Sequence, residues 1–273
     1  MANDLALNAQ ASRRAGGFGP GALLRDPWFV LLLALVALGA GWALTDTTPA
    51  AVRFLWQWSP ALLRGLGMNV QISVLAMALG TALGLVIGAL SLSPSALLRR
   101  LTRVYVLAFR NAPILVLVYF TTYVFPFELN LGRWNLPFPD WIKVVIGLGL
   151  PASANVAEIF RGAIQSIPEA QWEAAQSLAF RRTQVLRMIV LPQCVRRMLP
   201  SWMNLYASIT MSTSLASLVG VHDLVDTATV ASNTVARSDF TVLVYFTLLA
   251  LFFAYCYPCL LYTSDAADER SSV

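Results

Sequence analysis

The chain has 273 residues, 58% hydrophobic and 12% charged, with a mean hydropathy of +0.65. Soluble domains carry roughly 25% charged residues, so the composition excludes an ordinary water-soluble globule and indicates a multi-pass protein of the lipid bilayer. The net charge of +5 would suit a nucleic-acid binder, but its distribution along the chain excludes that reading.

About six stretches meet the requirement of roughly 20 mainly apolar residues for a span: 28–44, 69–92, 112–127, 142–160, 202–221 and 240–258. Loops between successive spans alternate sides. One side holds Arg13, Arg14 and Arg25, then Arg99, Arg100, Arg103 and Arg110, then Arg161, Arg181, Arg182, Arg187, Arg196 and Arg197. The other holds only Arg53, Arg64, Arg133, Lys143 and Arg237. Lys/Arg excess marks cytoplasmic loops, so both termini and the 161–197 loop are expected in the cytoplasm.

In chain order, 1–45 reads as a cytosolic segment followed by a first membrane helix. Its apolar run of about 17 residues exceeds a signal-peptide core, and no small-x-small cleavage site follows, so it is expected to stay as an anchor. The second span carries Gly80, Gly84 and Gly88 four apart, on one helix face, where small residues let membrane helices pack closely. Next comes Arg110-Asn111-Ala112-Pro113, with Pro113 suited to a first helical turn and Arg110 placed to reach lipid headgroups. The fourth span contains Asn155 and then Glu158 and Arg161, three apart and able to pair on one face, either as a structural bridge or as part of a gate.

Residues 163–200 then leave the apolar pattern. Ser166-Ile167-Pro168-Glu169 has capping-box spacing. Ile167, Ala170, Ala174 and Leu178 form a helical stripe, which predicts a helix over 167–178 presenting Ala174 and Ala175 on a shallow surface. After Arg181 and Arg182, Thr183 is placed to cap a second short helix that Pro192 should limit. A membrane-surface helix would show bulky apolar residues opposite Lys/Arg. This segment shows alanines and glutamates, which favours a protein partner.

The fifth span clusters Ser208, Thr210, Ser212, Thr213 and Ser214, suited to a polar pathway or to helix packing. The sixth span ends near Pro258. Cys256 and Cys259 stand as Cys-x-x-Cys without a histidine nearby and read as accidental. Residues 259–269 resemble the translation of a transposase-type sequencing adaptor, so 259–273 is expected to be non-native.

Four motifs in order carry a family resemblance. Glu173-Ala174-Ala175, then Ala179, then Ile189-Val190-Leu191-Pro192 resembles the EAA loop of ABC-importer permeases. Arg110-Asn-Ala-Pro113 resembles the Arg-Gly-Thr-Pro signature of the polar amino acid permeases. Ala157-Glu158-Ile-Phe-Arg161-Gly162 and Thr213-Ser214-Leu215 resemble two further segments of that family. The resemblance covers 68–258, the expected permease domain, with 163–200 as its coupling loop.

It implies an all-α integral membrane fold of the type I importer permease kind. In this chain Glu173, Ala174, Ala175, Ala179, Arg181, Leu191 and Pro192 would couple to the ATPase. Asn155, Glu158, Arg161, Thr210, Thr213 and Ser214 would line or gate the pathway. The implied partners are cytosolic ATPase subunits that use ATP and Mg, a second permease subunit and an extracytoplasmic substrate-binding protein. The implied cargo is a polar amino acid, or else another small solute: an opine, a sulfur compound or an organic cation. The implied location is a bacterial inner membrane.

The sequence departs from the family at Ala179, where the family has glycine, at Asn111-Ala112, and at Met211, where it has lysine. It also has six spans where many relatives have five. No cofactor is expected on this chain, since its sole lysine, Lys143, lies in no Gly-x4-Gly-Lys-Ser/Thr loop. An ion-driven transporter would often show internal repeats, and none is seen. A membrane enzyme would need convergent acids, bases or a metal set.

Overall fold

The computed structural model describes residues 49–131 and 134–271. The expected span at 28–44 lies outside them. Helix α1 (Pro49–Ser91) is followed by α2 (Ala96–Asn111), α3 (Ile114–Val124), a hairpin of β1 (Glu128–Leu131) and β2 (Trp134–Pro137), and α4 (Asp140–Gln165). Then come α5 (Glu169–Ser177), a long helical run ending in α6 (Leu191–Ser212), α7 (Leu224–Val235) and α8 (Ser238–Ser271). The expected helical architecture is found, with one antiparallel hairpin added in the register Glu128↔Pro137 to Leu131↔Trp134.

Among the described residues, Ala50–Ser91, Asp140–Gln165 and Ser238–Cys259 are long and apolar enough to cross a membrane. The expected start of the permease domain at 68 falls inside α1, which begins at Pro49. At 43 residues α1 is about 64 Å long, about twice the hydrocarbon thickness, so it projects well beyond the bilayer. Pro60 leaves the Trp56 carbonyl without its helical donor. The Ser59 hydroxyl fills the gap, donating to Trp56 O at 2.8 Å.

The expected third span, 112–127, is only the 11-residue α3. Ala112 precedes Pro113 and is therefore driven out of the helical region, to φ −73 and ψ 134. As a result α2 and α3 meet at 103° and count as one span only if joined across that bend. Past α3, Lys143 is fully buried. Its ammonium pairs with Asp140 at 2.9 Å, donates to Thr122 O at 3.4 Å and lies 3.9 Å from the centre of the Phe127 ring. These contacts tie the foot of the hairpin to the start of α4.

The core lies between α1 and α4. A Cβ added at Gly80 would stand 2.6 Å from Ala152 Cβ. One at Gly84 would stand 2.6 Å from Ser153 O and from Val156 Cβ, and one at Gly88 would stand 2.7 Å from Phe160 Cδ1. Around this seam Ile72, Met77, Val118, Val144, Leu148 and Ile209 form an apolar cluster.

The expected fifth span, 202–221, is not among the helices long and apolar enough to cross, and its bounds differ as well. Helix α6 begins at Leu191, and a 3-10 segment, Thr213–Val219, closes on Gly220 at φ 84. Substitutions in the seam test this packing. Gly84→Leu should destabilise the protein by about 3 kcal/mol through overpacking. Gly67→Ala, with nothing within 4 Å of the added methyl, should be neutral or gain up to about 1 kcal/mol of helix propensity. Thermal unfolding in detergent reads both.

Candidate functional site

The segment 163–200 is helical for nearly its whole length. Ser166 does not form the expected capping box. Its hydroxyl donates to Ala163 O at 2.8 Å, so it closes α4 and does not open α5. Arg197 then donates to Ser166 O at 2.6 Å and to its hydroxyl at 3.0 Å. Helix α5 is correspondingly shorter than the expected 167–178.

Helix α5 ends in a left-handed turn. Ala179 sits at φ 57, and the Phe180 N–H reaches back to Ala175 O at 3.2 Å, the pattern of a Schellman closure. Alanine thus adopts the conformation that glycine would supply more cheaply. Thr183 does not cap the next helix, because it lies inside the turn Arg182–Gln184. The cap is Arg181, whose N–H donates to Gln184 Oε1 at 2.8 Å.

Nor does Pro192 end the helix. A π turn, Val185–Val190, stands immediately before it, with Leu191 N–H bonded to Leu186 O. The wider turn accommodates a residue that has no N–H and whose ring crowds the preceding carbonyls. The chain therefore runs as helix from Arg182 to Ser212.

Helix α5 rides on this run through an apolar cluster of Phe160, Ala163, Ile167, Ala175, Val185, Val190, Cys194 and Met198. Gln193 donates to Gln171 across it at 2.7 Å. Ala175 is buried, whereas Ala170, Glu173 and Ala174 are exposed. Of the expected stripe only Ile167 is buried, and Leu178 is 74% exposed. Arg181, Leu191 and Pro192 are exposed as well. The result is an outward face of Ala170, Glu173, Ala174 and Leu178, on a helix too short to hold itself up without the cluster.

Glu158 and Arg161 form a two-pronged ion pair, Nη2 to Oε1 and Nε to Oε2, on the part-buried face of α4. They line a cavity of about 350 Å³ together with Ser91, Arg99, Arg103 and Arg110. Asn155 lies one turn back and donates to Pro151 O at 2.8 Å. Pro113 caps α3.

The hydroxyls expected to line a pathway are placed apart from that cavity. Ser212 and Ser214 donate to carbonyls of their own helix. Thr210 is buried, and its hydroxyl has no partner among the described residues. Thr213 belongs to a polar cluster that the sequence reading did not anticipate. Asn69, fully buried in α1, donates to Thr213 Oγ1 at 3.0 Å and to Asp223 Oδ2 at 3.1 Å, and accepts from Leu224 N at 2.9 Å. Asp223, also fully buried, caps α7 by accepting from Asp226 N at 2.8 Å. A lone asparagine opening an apolar run and an aspartate soon after Gly220 were the available signals. Burial pushes the Asp223 carboxyl up to about 6, against the pull of its hydrogen bonds.

A profile of the family described as binding-protein-dependent transport system inner membrane component matches residues 80–263. The probable amino-acid ABC transporter permease protein YckA of Bacillus subtilis is 33% identical, over 71% of this chain and 81% of its own. The octopine transport system permease protein OccM of Rhizobium radiobacter is 34% identical, over 70% and 78% respectively. Among solved structures, an amino acid ABC transporter with histidines superposes at a TM-score of 0.65, with 23% identity, covering 77% of this chain and 96% of that one.

Two substitutions probe the turn and the buried carboxyl. Ala179→Gly should raise the thermal midpoint, relieving a left-handed alanine at about 1 kcal/mol less the entropy that glycine loses. Asp223 has a raised folded pKa, so its protonation favours the folded state. That contribution is full below the ordinary value of 3.8 and lost as pH rises through about 6. The stability of the unaltered chain relative to Asp223→Asn should therefore fall between those pH values and level off above them.

Proposed function

Because the chain belongs to the family of binding-protein-dependent transport system inner membrane components, we propose that its cargo is a polar amino acid and that its motion is driven through α5. It is a multi-pass inner-membrane permease subunit of an ABC importer. No Gly-x4-Gly-Lys-Ser/Thr loop occurs in it, so the ATP and Mg belong to a cytosolic partner.

The observation that carries the coupling role is the exposed face of α5. Glu173 and Ala174 point outward, while Ala175 and Ile167 anchor the helix in the apolar cluster below. A shallow surface with one acid, ending at the exposed Leu178, suits a protein groove better than lipid, since it lacks the cationic face of a membrane-surface helix. ATPase subunits would seat there. A second permease chain, identical or paralogous, would complete the pathway, and a substrate-binding protein would dock at the opposite end. Alternating access follows if closure of the ATPase pair displaces α5, and with it the helical run that begins at Arg182. The Lys/Arg excess in the basic loops supports a cytoplasmic α5 end and N-terminus.

For the cargo, the support is the amino-acid designation of YckA. An opine is the second reading, favoured by the equal likeness to OccM.

Glu173→Lys should insert normally, judged by membrane fractionation, yet lower uptake driven by the ATPase to under about a tenth, the scale of a lost interface hot spot. Undiminished uptake would remove the coupling role from α5.

A further inference from the structure

We propose that the cleft between α2 and α4 binds the phosphate headgroup of an anionic phospholipid, with α2 lying in the plane of the membrane surface. The cleft, about 350 Å³, is walled by Arg99, Arg103, Arg110 and Arg161, with Glu158 the single acid among its lining residues. Arg161 is neutralised by Glu158. Arg99 is spent on the preceding turn, donating to Ser93 O at 2.8 Å and Pro94 O at 2.6 Å. Arg103 and Arg110 are exposed and make no hydrogen bond among the described residues, although Arg110 lies close enough to feel the Glu158 charge. The cleft therefore carries a surplus of guanidinium charge, and guanidinium forks match phosphate oxygens.

The rest of α2 selects the bearer of that phosphate. Leu97, Leu101 and Val104, at helical spacing on a different face, are 66%, 57% and 60% exposed. Helix α2 turns 103° away from the short apolar α3, so where α3 dips into the bilayer α2 runs along its surface. That is the disposition of an interfacial helix, with its apolar face in the acyl region and its arginines at headgroup level. A lipid satisfies both faces at once, whereas a free anion satisfies only one. Ser91 and Arg161 place the cleft at the α5 end of the molecule. The choice of leaflet therefore rests on reading that end as cytosolic, where anionic lipids accumulate.

The test is native mass spectrometry of the delipidated full chain in mild detergent, titrated with phosphatidylglycerol, phosphatidylethanolamine or inorganic phosphate. Phosphatidylglycerol should be retained. Arg103→Gln with Arg110→Gln should weaken it about thirtyfold, the worth of two cations at an anionic surface, while Lys at both positions, which keeps the charge but not the fork, should restore part of the affinity. If the double Gln variant fails to fold, each single Gln variant should lose about fivefold. Phosphatidylethanolamine should bind weakly, and inorganic phosphate should not displace the lipid.

Undiminished binding in the Gln variants would overturn the proposal. So would displacement by inorganic phosphate, or lipid release when two permease chains associate, which would give the cleft to the second chain. Because no ATPase takes part, Glu173→Lys should bind lipid normally, so failure of the coupling role and failure of the lipid site are read separately.

Discussion

The close approach of α1 to α4 along Gly80, Gly84 and Gly88 is the constraint on which the other arrangements hang. Lipid gives helices no hydrophobic reason to associate, so packing contacts must supply it. A seam of hydrogen side chains brings the backbones near enough for Ala152, Val156 and Phe160 to fill the space. Phe160 belongs to two assemblies. It meets Gly88 on one side and joins the cluster that carries α5 on the other. The position of the outward-facing Glu173 is therefore inherited from the glycine seam.

The second theme is how broken backbone is kept satisfied. A backbone group left without a partner costs stability wherever it is shielded from water, and three interruptions here have a local remedy. The carbonyl that Pro60 would have bonded takes the Ser59 hydroxyl. Pro192 is preceded by a π turn. The stretch beyond Gly220 is closed by a buried side-chain amide, Asn69, which binds Thr213, Asp223 and the Leu224 amide together. That cluster joins the middle of α1 to the far end of the α6 run, so a polar contact does there what the glycine seam does nearer α5.

Much of this was legible in the sequence, and the exceptions have physical causes. Helical spacing placed the glycines, the Glu158–Arg161 pair and the short helix bearing Glu173. Capping chemistry was misread because Ser166 has two possible uses, and the carbonyl of Ala163, one turn back, claimed its hydroxyl. Pro192 was read as a stop because pattern reasoning assumes α geometry, and a π turn removes the conflict. The forward extension of α1 was hidden by Arg53, Arg64 and Pro60, which break an apolar window without breaking a helix that packs against α7 and α8. The Asn69–Asp223 contact joins residues 154 apart in the chain, and no local pattern announces such a pair.

The composition of the α6 run has a mechanical corollary. No glycine occurs between Gly162 and Gly220, and from Arg182 to Val219 the backbone is helical throughout, changing only in pitch. Such a stretch behaves as a strut: a push applied at its α5 end has no glycine joint in which to dissipate. The first glycine it reaches is Gly220, in left-handed geometry, beside the Asn69–Asp223 clamp. If a partner pushes on the α5 end, the first glycine joint open to that motion is the one beside this buried polar cluster.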